Sequence, residues 1–258
     1  MQPNLDFIVS TARLAGEILR QGYGHKHEIR HKGVIDLVTD SDHLSEKFII
    51  ESIHKQFPDH RIISEESGSL GESKDHCWYI DPLDGTVNFA HDLPLFTVSI
   101  AYVSLDLPQL GVVYEPMRDE CFSAERSQGA WLNGNRIQVS TTQTLQESLL
   151  VTGFPYDMWQ RPEKHLKYFG KFSVRSQGVR RLGSAALDLC YVACGRLDGY
   201  WELNIEPHDI AAGVLIAVEA GALATKVDGT TTILERPCSM LAANPTLHAQ
   251  MLAILHES

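Results

Sequence analysis

Apolar residues recur at helical spacing near the start of the chain. Leu5, Ile8, Val9, Ala12, Ala15, Ile18 and Leu19 share one face, Asn4 is placed to cap it, and Gly22 or Gly24 to end it. A second helix, opened by Asp40 or Ser41, turns Leu44, Phe48, Ile49 and Ile53 inward and stops near Phe57-Pro58. The two can pack as a pair. The apolar period then shortens. Ile62-Ile63 and Trp78-Tyr79-Ile80 read as buried strands, the second ended by Pro82, with a mobile loop rich in Gly, Ser and charge over 68–76. Strands follow at 97–103, 110–114 and 121–124. Residues 130–139 form a hairpin, because Asn133-Gly134 suits the positive φ angles of a type I′ turn.

The polar stretch 140–148 has no apolar period and divides the chain into an N-terminal domain, 1–145, and a C-terminal domain, 146–258. The first is a helix pair with an antiparallel sheet. The second alternates: strand 149–152, helix from Pro162, strand 172–174, helix 184–193, strand 200–202, helix 209–220, strands 222–225 and 240–243, and a last helix from Pro245. That alternation is α/β.

A chain of 258 residues, 43% hydrophobic, can bury a sizeable core. With 33 acidic against 22 basic residues, its net charge of −11 argues against a duplex nucleic-acid surface and suits a protein that concentrates cations. Five cysteines without a C-x-x-C pair give neither a disulfide framework nor a thiolate zinc site; Cys190 and Cys194, at i and i+4, read as core filling. No apolar stretch approaches the ~18 residues of a membrane span and no targeting segment opens the chain, so a cytoplasmic enzyme is expected.

Candidate chemistry sits where strands run into carboxylates. Asp81 and Asp84 follow one strand, Glu65 and Glu66 another, and the backbone N–H groups of Gly85 and Thr86 can face an anion beside them. Oxygen ligands next to anion donors suit a hard cation shared with a phosphate. Each piece also has an ordinary explanation: D-x-x-D as an Asx-rich turn, Asp42 as a carboxylate favoured in a helix's first turn, Ser184 and Asp209 as simple caps. His25, His27 and His31 read as solvated loop residues.

Taken together the pieces say more. Asp81-Pro-Leu-Asp84-Gly85-Thr86-Val-Asn-Phe89 resembles the signature of the inositol monophosphatase family of Mg²⁺-dependent, lithium-sensitive phosphomonoesterases. Asp36-Leu-Val-Thr39-Asp-Ser-Asp42, Ile63-Ser-Glu65-Glu66-Ser67, and Trp201-Glu202 through Pro207-His208-Asp209-Ile-Ala-Ala-Gly213 match it in order and spacing. The resemblance implies a layered αβαβα sandwich of the inositol monophosphatase and fructose-1,6-bisphosphatase type. It implies that Glu65, Asp81, the carbonyl of Leu83, Asp84 and Asp209 bind two Mg²⁺ ions, with a weak third near Glu65. By the same resemblance Asp42 and Thr86 hold the attacking water, while Asp84, Gly85 and Thr86 meet the phosphate. Gly183, Ser184, Ala185, Glu202 and Asp209 contact the substrate and its alcohol part. A family lysine near the metal matches His31 or Lys32. His208 stands where Trp is usual, and Glu206 where some animal members carry His; both lie near the substrate end.

The implied activity is hydrolysis of inositol-1-phosphate or a similar small phosphate monoester by activated water, without a covalent intermediate. Histidinol phosphate, fructose-1,6-bisphosphate, NADP and adenosine 3′,5′-bisphosphate are the alternative substrates, and association with the transcription machinery the alternative role. A homodimer is implied as well.

Overall fold

The computed structural model describes residues 2–25, 30–31, 37–155, 158–160 and 162–257. Helix α1, Leu5–Gly22, is capped by Asn4, whose side chain accepts from Phe7 N–H. The two-residue strands β1, Arg30–His31, and β2, Leu37–Val38, pair antiparallel. Helix α2 runs Asp40–Gln56. Its cap is Thr39, one residue earlier than expected. Leu44, expected inward, is 56% exposed, and the buried face carries Ser41, Asp42, Ser45 and Glu46 beside Ile49 and Ile53. A helix can bury that many polar groups only where they find partners: Ser45 donates to Pro82 O, and Glu46 accepts from Ser67 N–H and Oγ.

Strands β3 (Arg61–Ser64), β4 (Gly68–Leu70), β5 (His76–Asp84), β6 (Thr97–Ser104), β7 (Leu107–Glu115), β8 (Glu120–Glu125), β9 (Gly129–Leu132) and β10 (Asn135–Arg136) form one sheet in the order β10-β9-β8-β7-β6-β5-β3-β4. Two expectations fail here. The 68–76 segment is not all loop, because β4 pairs with β3. Nor does Pro82 end β5: Asp81 pairs with Ser99 and Asp84 with Thr97, and the register shift between them accommodates the proline in a bulge. The short helix α3, Thr86–Ala90, follows Gly85, whose φ of 101° lies in the left-handed region that glycine tolerates best.

The second sheet contains β11 (Leu149–Thr152), β12 (Gly178–Arg180), β13 (Gly199–Ile205), β14 (Leu223–Thr225) and β15 (Cys238–Ala243), in the order β12-β11-β13-β15-β14. Helices α4 (Pro162–Ser173), α5 (Ala185–Ala193), α6 (Pro207–Glu219) and α7 (Pro245–His256) complete the chain. The strand expected at 172–174 is the end of α4; Phe172 is fully buried against Trp201, with ring centroids 4.2 Å apart. A short apolar run does not separate the two states by itself.

Five layers result, α/β/α/β/α. Ile8, Ala12, Ala15 and Leu19 of α1 and Ile49 and Ile53 of α2 pack on Trp78, Ile80, Val98, Ile100 and Val112 of the first sheet. On its other face Ala101, Val113, Phe122 and Ala124 meet α5 and α6, which also cover Val151, Tyr200 and Met240 of the second sheet. Helices α4 and α7 close the far side over Leu150, Trp201 and Leu241. The central layer is tight: a Cβ on Gly111 of β7 would lie 3.0 Å from the Ala212 carbonyl of α6. All five cysteines are free thiols, and among the described residues no helix is long and apolar enough to cross a membrane.

Candidate active site

The carboxylates reach one region from four elements. Asp81 and Asp84 stand on the bulged end of β5, Glu65 directly after its parallel neighbour β3, Asp42 in the first turn of α2, and Asp209 in the first turn of α6. Asp42 and Asp209 have the same local geometry. Each is the third residue of its helix and accepts the N–H of the preceding cap residue, Thr39 at 2.9 Å and Glu206 at 3.0 Å. The cap of α6 is therefore Glu206, with Pro207 first, and Asp209 is not the capping residue. Capping uses Oδ2 in both cases. It leaves the other oxygen of Asp42 to meet Thr86 Oγ1 at 3.2 Å, and that of Asp209 to meet His208 Nε2 at 3.3 Å. The Thr86 hydroxyl also lies 3.0 Å from Leu83 O, so its one proton serves either acceptor but not both.

Asp84 joins the two sheets. Its Oδ2 accepts from Ser184 Oγ at 2.7 Å and Ala186 N–H at 2.8 Å, and its Oδ1 from Ala185 N–H at 3.3 Å. Of the segment Gly183-Ser184-Ala185, expected to face substrate, Ser184 and Ala185 thus present their donors to Asp84 in this conformation, while Ser184 also caps α5. Asn88 adds a second link, donating 2.7 Å bonds to both Leu95 O and Leu182 O. Glu202 projects from β13 with its Oε2 accepting from Tyr200 OH at 2.6 Å. Asn88, Tyr200 and Asp188 carry no local sequence signal for these roles. Asp188 is 1% exposed with Oδ1 lacking a hydrogen bond, and its place on α5 beside the charges of Glu202 and Asp84 emerges only in three dimensions. Lys32, Asp36 and His27 lie outside the described residues, as does the side chain of His31.

Burial dominates the electrostatics. It pushes Asp42 up to about 6 against the opposing hydrogen bonds from Thr39, and Asp84 up to about 6 against those from Ser184 and Ala186. Asp81 and Asp209 are raised well above the ordinary carboxylate range, first by burial and then by the charges of Glu65 and Asp84. Glu202 is raised to about 7, again chiefly by burial. The donor set is all oxygen and mutually repulsive, which fits a hard divalent cation: it would displace protons and offset the repulsion. In this conformation no three His, Cys, Asp or Glu side chains among the described residues are gathered into a ready metal cage.

Such a layered α/β fold, with carboxylates at strand ends and helix starts, defines a class that the comparisons identify. The family model described as "Inositol monophosphatase family" matches residues 1–258. The inositol-1-monophosphatase of Synechocystis sp. is 46% identical over 253 residues, covering 97% of this chain and 88% of that one. The Nus factor SuhB of Escherichia coli K12 is 42% identical over 260 residues, covering 100% and 97%. Among solved structures, inositol monophosphatase from Anabaena (Nostoc) sp. superposes with a TM-score of 0.88 at 42% identity, over 97% of this chain and 94% of that one. The extragenic suppressor protein SuhB of Bartonella henselae gives 0.93 at 36% identity, over 98% of each chain. The chain belongs to the inositol monophosphatase family.

Proposed function

We propose that this protein is a Mg²⁺-dependent phosphomonoesterase that hydrolyses inositol-1-phosphate, or a similar small phosphate monoester, to the alcohol and inorganic phosphate. The observation that carries the reading is the convergence of Asp81, Asp84 and Asp209 within reach of the charge of Glu65, which acts on all three, beside the Asp42–Thr86 pair. Glu65, Asp81, the carbonyl of Leu83, Asp84 and Asp209 would hold two metal ions. The metal supplies Lewis-acid polarisation of the phosphoryl group and neutralises charge developing there.

The chain's own residues do the positioning. Asp42 and the Thr86 hydroxyl orient a water toward phosphorus, with Asp42 Oδ2 fixed by Thr39 so that Oδ1, which faces Thr86, keeps one direction. The N–H groups of Gly85 and Thr86 receive phosphate oxygens. Glu202, with Gly183, Ser184 and Ala185 nearby, meets the alcohol part. Lithium sensitivity, a homodimeric assembly and a cytoplasmic location belong to the same proposal.

Purified wild type and Asp84→Asn, assayed for phosphate release from inositol-1-phosphate with and without Mg²⁺, test the reading. Loss of the Mg²⁺-dependent rate in the variant is expected; equal rates would refute the assignment. The 42% identity to a protein named Nus factor SuhB favours a second role, in association with the transcription machinery. Co-purification of RNA polymerase, unaffected by Asp84→Asn, would support it.

A further inference from the structure

Glu202 has two close neighbours, and only one of them presents a side chain. Tyr200 and Glu202 stand two residues apart on β13 and so share a face of the strand. Tyr200, fully buried, donates its 2.6 Å hydrogen bond to Glu202 Oε2. Against the same carboxylate lies Gly153, the first residue after β11. A Cβ built there would fall 2.0 Å from Oε2, 2.5 Å from Cδ and 2.6 Å from Oε1 of Glu202. No real carbon sits that close to a carboxylate.

The backbone cannot easily withdraw to make room. Strands β11 and β13 are parallel neighbours, with Thr152 opposite Trp201, and Thr152 Oγ1 donates to Trp201 O at 2.7 Å. Gly153 is also not among the residues with a left-handed φ, so nothing in its backbone conformation calls for glycine. What calls for glycine is the carboxylate. Among the described residues the hydroxyl of Tyr200 is the one hydrogen-bond partner of Glu202, and it engages Oε2, which leaves Oε1 for a ligand.

We propose that Gly153 is a positioning residue for Glu202: its bare Cα forms the wall against which Tyr200 holds the carboxylate, and this sets recognition of hydroxyl groups on the leaving alcohol. The proposal rests on the preceding reading, in which Glu202 meets that alcohol. A methyl group at 153 displaces the far end of Glu202 while leaving the strands in place. Substrates whose leaving group carries hydroxyls then lose a charge-assisted hydrogen bond. Substrates without hydroxyls lose nothing.

The test is a comparison of Gly153→Ala with wild type on inositol-1-phosphate and on p-nitrophenyl phosphate, whose leaving group has no alcohol hydroxyl to recognise. KM for inositol-1-phosphate is expected to rise roughly tenfold with kcat within about threefold, while both constants for p-nitrophenyl phosphate stay within about twofold. In a Glu202→Ala background the same substitution should add nothing. Equal losses on both substrates, or full additivity with Glu202→Ala, would overturn the proposal. Should Gly153→Ala fail to fold, Tyr200→Phe decides, since it frees the same carboxylate without adding atoms: a KM for inositol-1-phosphate raised at least about threefold supports the proposal, and an unchanged one refutes it. A crystal structure of Gly153→Ala separates this idea from the substrate assignment. If wild type releases phosphate from neither compound, the phosphatase reading fails on its own, while a Glu202–Tyr200 bond still intact in the variant would sink the positioning role whatever the substrate.

Discussion

Replacing Glu115 by glutamine should flatten part of the protein's pH dependence of stability. Glu115 ends β7 with no exposed surface. Its Oε2 accepts from Tyr191 OH at 3.2 Å, while Arg118 Nε lies 3.2 Å from Oε1 without hydrogen-bond alignment, on a side chain that is 55% exposed. Burial outweighs both partners and pushes the carboxyl from 4.5 up to about 7. Between those values the native state keeps a proton that the unfolded chain has released, so Glu115's contribution to stability is fully present below about pH 4.5 and is lost as pH rises through about 7. At about 1.36 kcal/mol per pK unit, the loss between about pH 5 and pH 8.5 is about 2.5 kcal/mol. Glutamine carries no titrating proton and should remove that increment. Urea unfolding of wild type and Glu115→Gln at the two pH values, with chelator present, measures it as the difference between their pH slopes. The other buried carboxylates titrate in both proteins and cancel. Identical slopes would show that Glu115 is ionised throughout and that Arg118 compensates its burial.

Three further outcomes follow from the site and the central layer. Thr86→Val removes the hydroxyl that faces Asp42 and should lower kcat on inositol-1-phosphate roughly a hundredfold with little change in KM; near-normal kcat would remove Thr86 from the water-orienting pair. Added Mg²⁺ should raise the thermal midpoint more at about pH 8 than at about pH 5.5, because at the lower pH the cation must displace more protons from Asp84, which burial raises to about 6; equal shifts at both values would contradict that raised value. Gly111→Val forces β7 and α6 apart at the Ala212 carbonyl and should cost about 1–3 kcal/mol in urea unfolding, whereas an unchanged midpoint would show that the contact relaxes freely.

Several elements were legible because their signals are local. Asn4 caps α1 as its side-chain chemistry predicts, the 133–134 turn has both φ angles positive, and strands β6, β7 and β8 fall on their apolar runs within a few residues. Other boundaries depended on distant partners. Thr39 rather than Asp40 caps α2 because Asp42 reaches back to it, and β5 continues past Pro82 because β6 pairs on both sides of the bulge. Leu44 faces solvent because Ser45 and Glu46 have partners on β5 and after β3.

By itself the chain order determined which carboxylates end strands or open helices, and with them the family to which the protein is similar, since composition and turn chemistry act over a few residues. Tertiary structure alone decided how those groups are used. The bonds from Asp84 to Ser184 and Ala186 span 100 residues or more, and Gly153 meets Glu202 across two parallel strands. Burial, which raises the carboxyl pKa values of Asp42, Asp81, Asp84, Glu202 and Asp209, is likewise a property of the packed layers: it depends on what excludes water, and no segment carries that information alone.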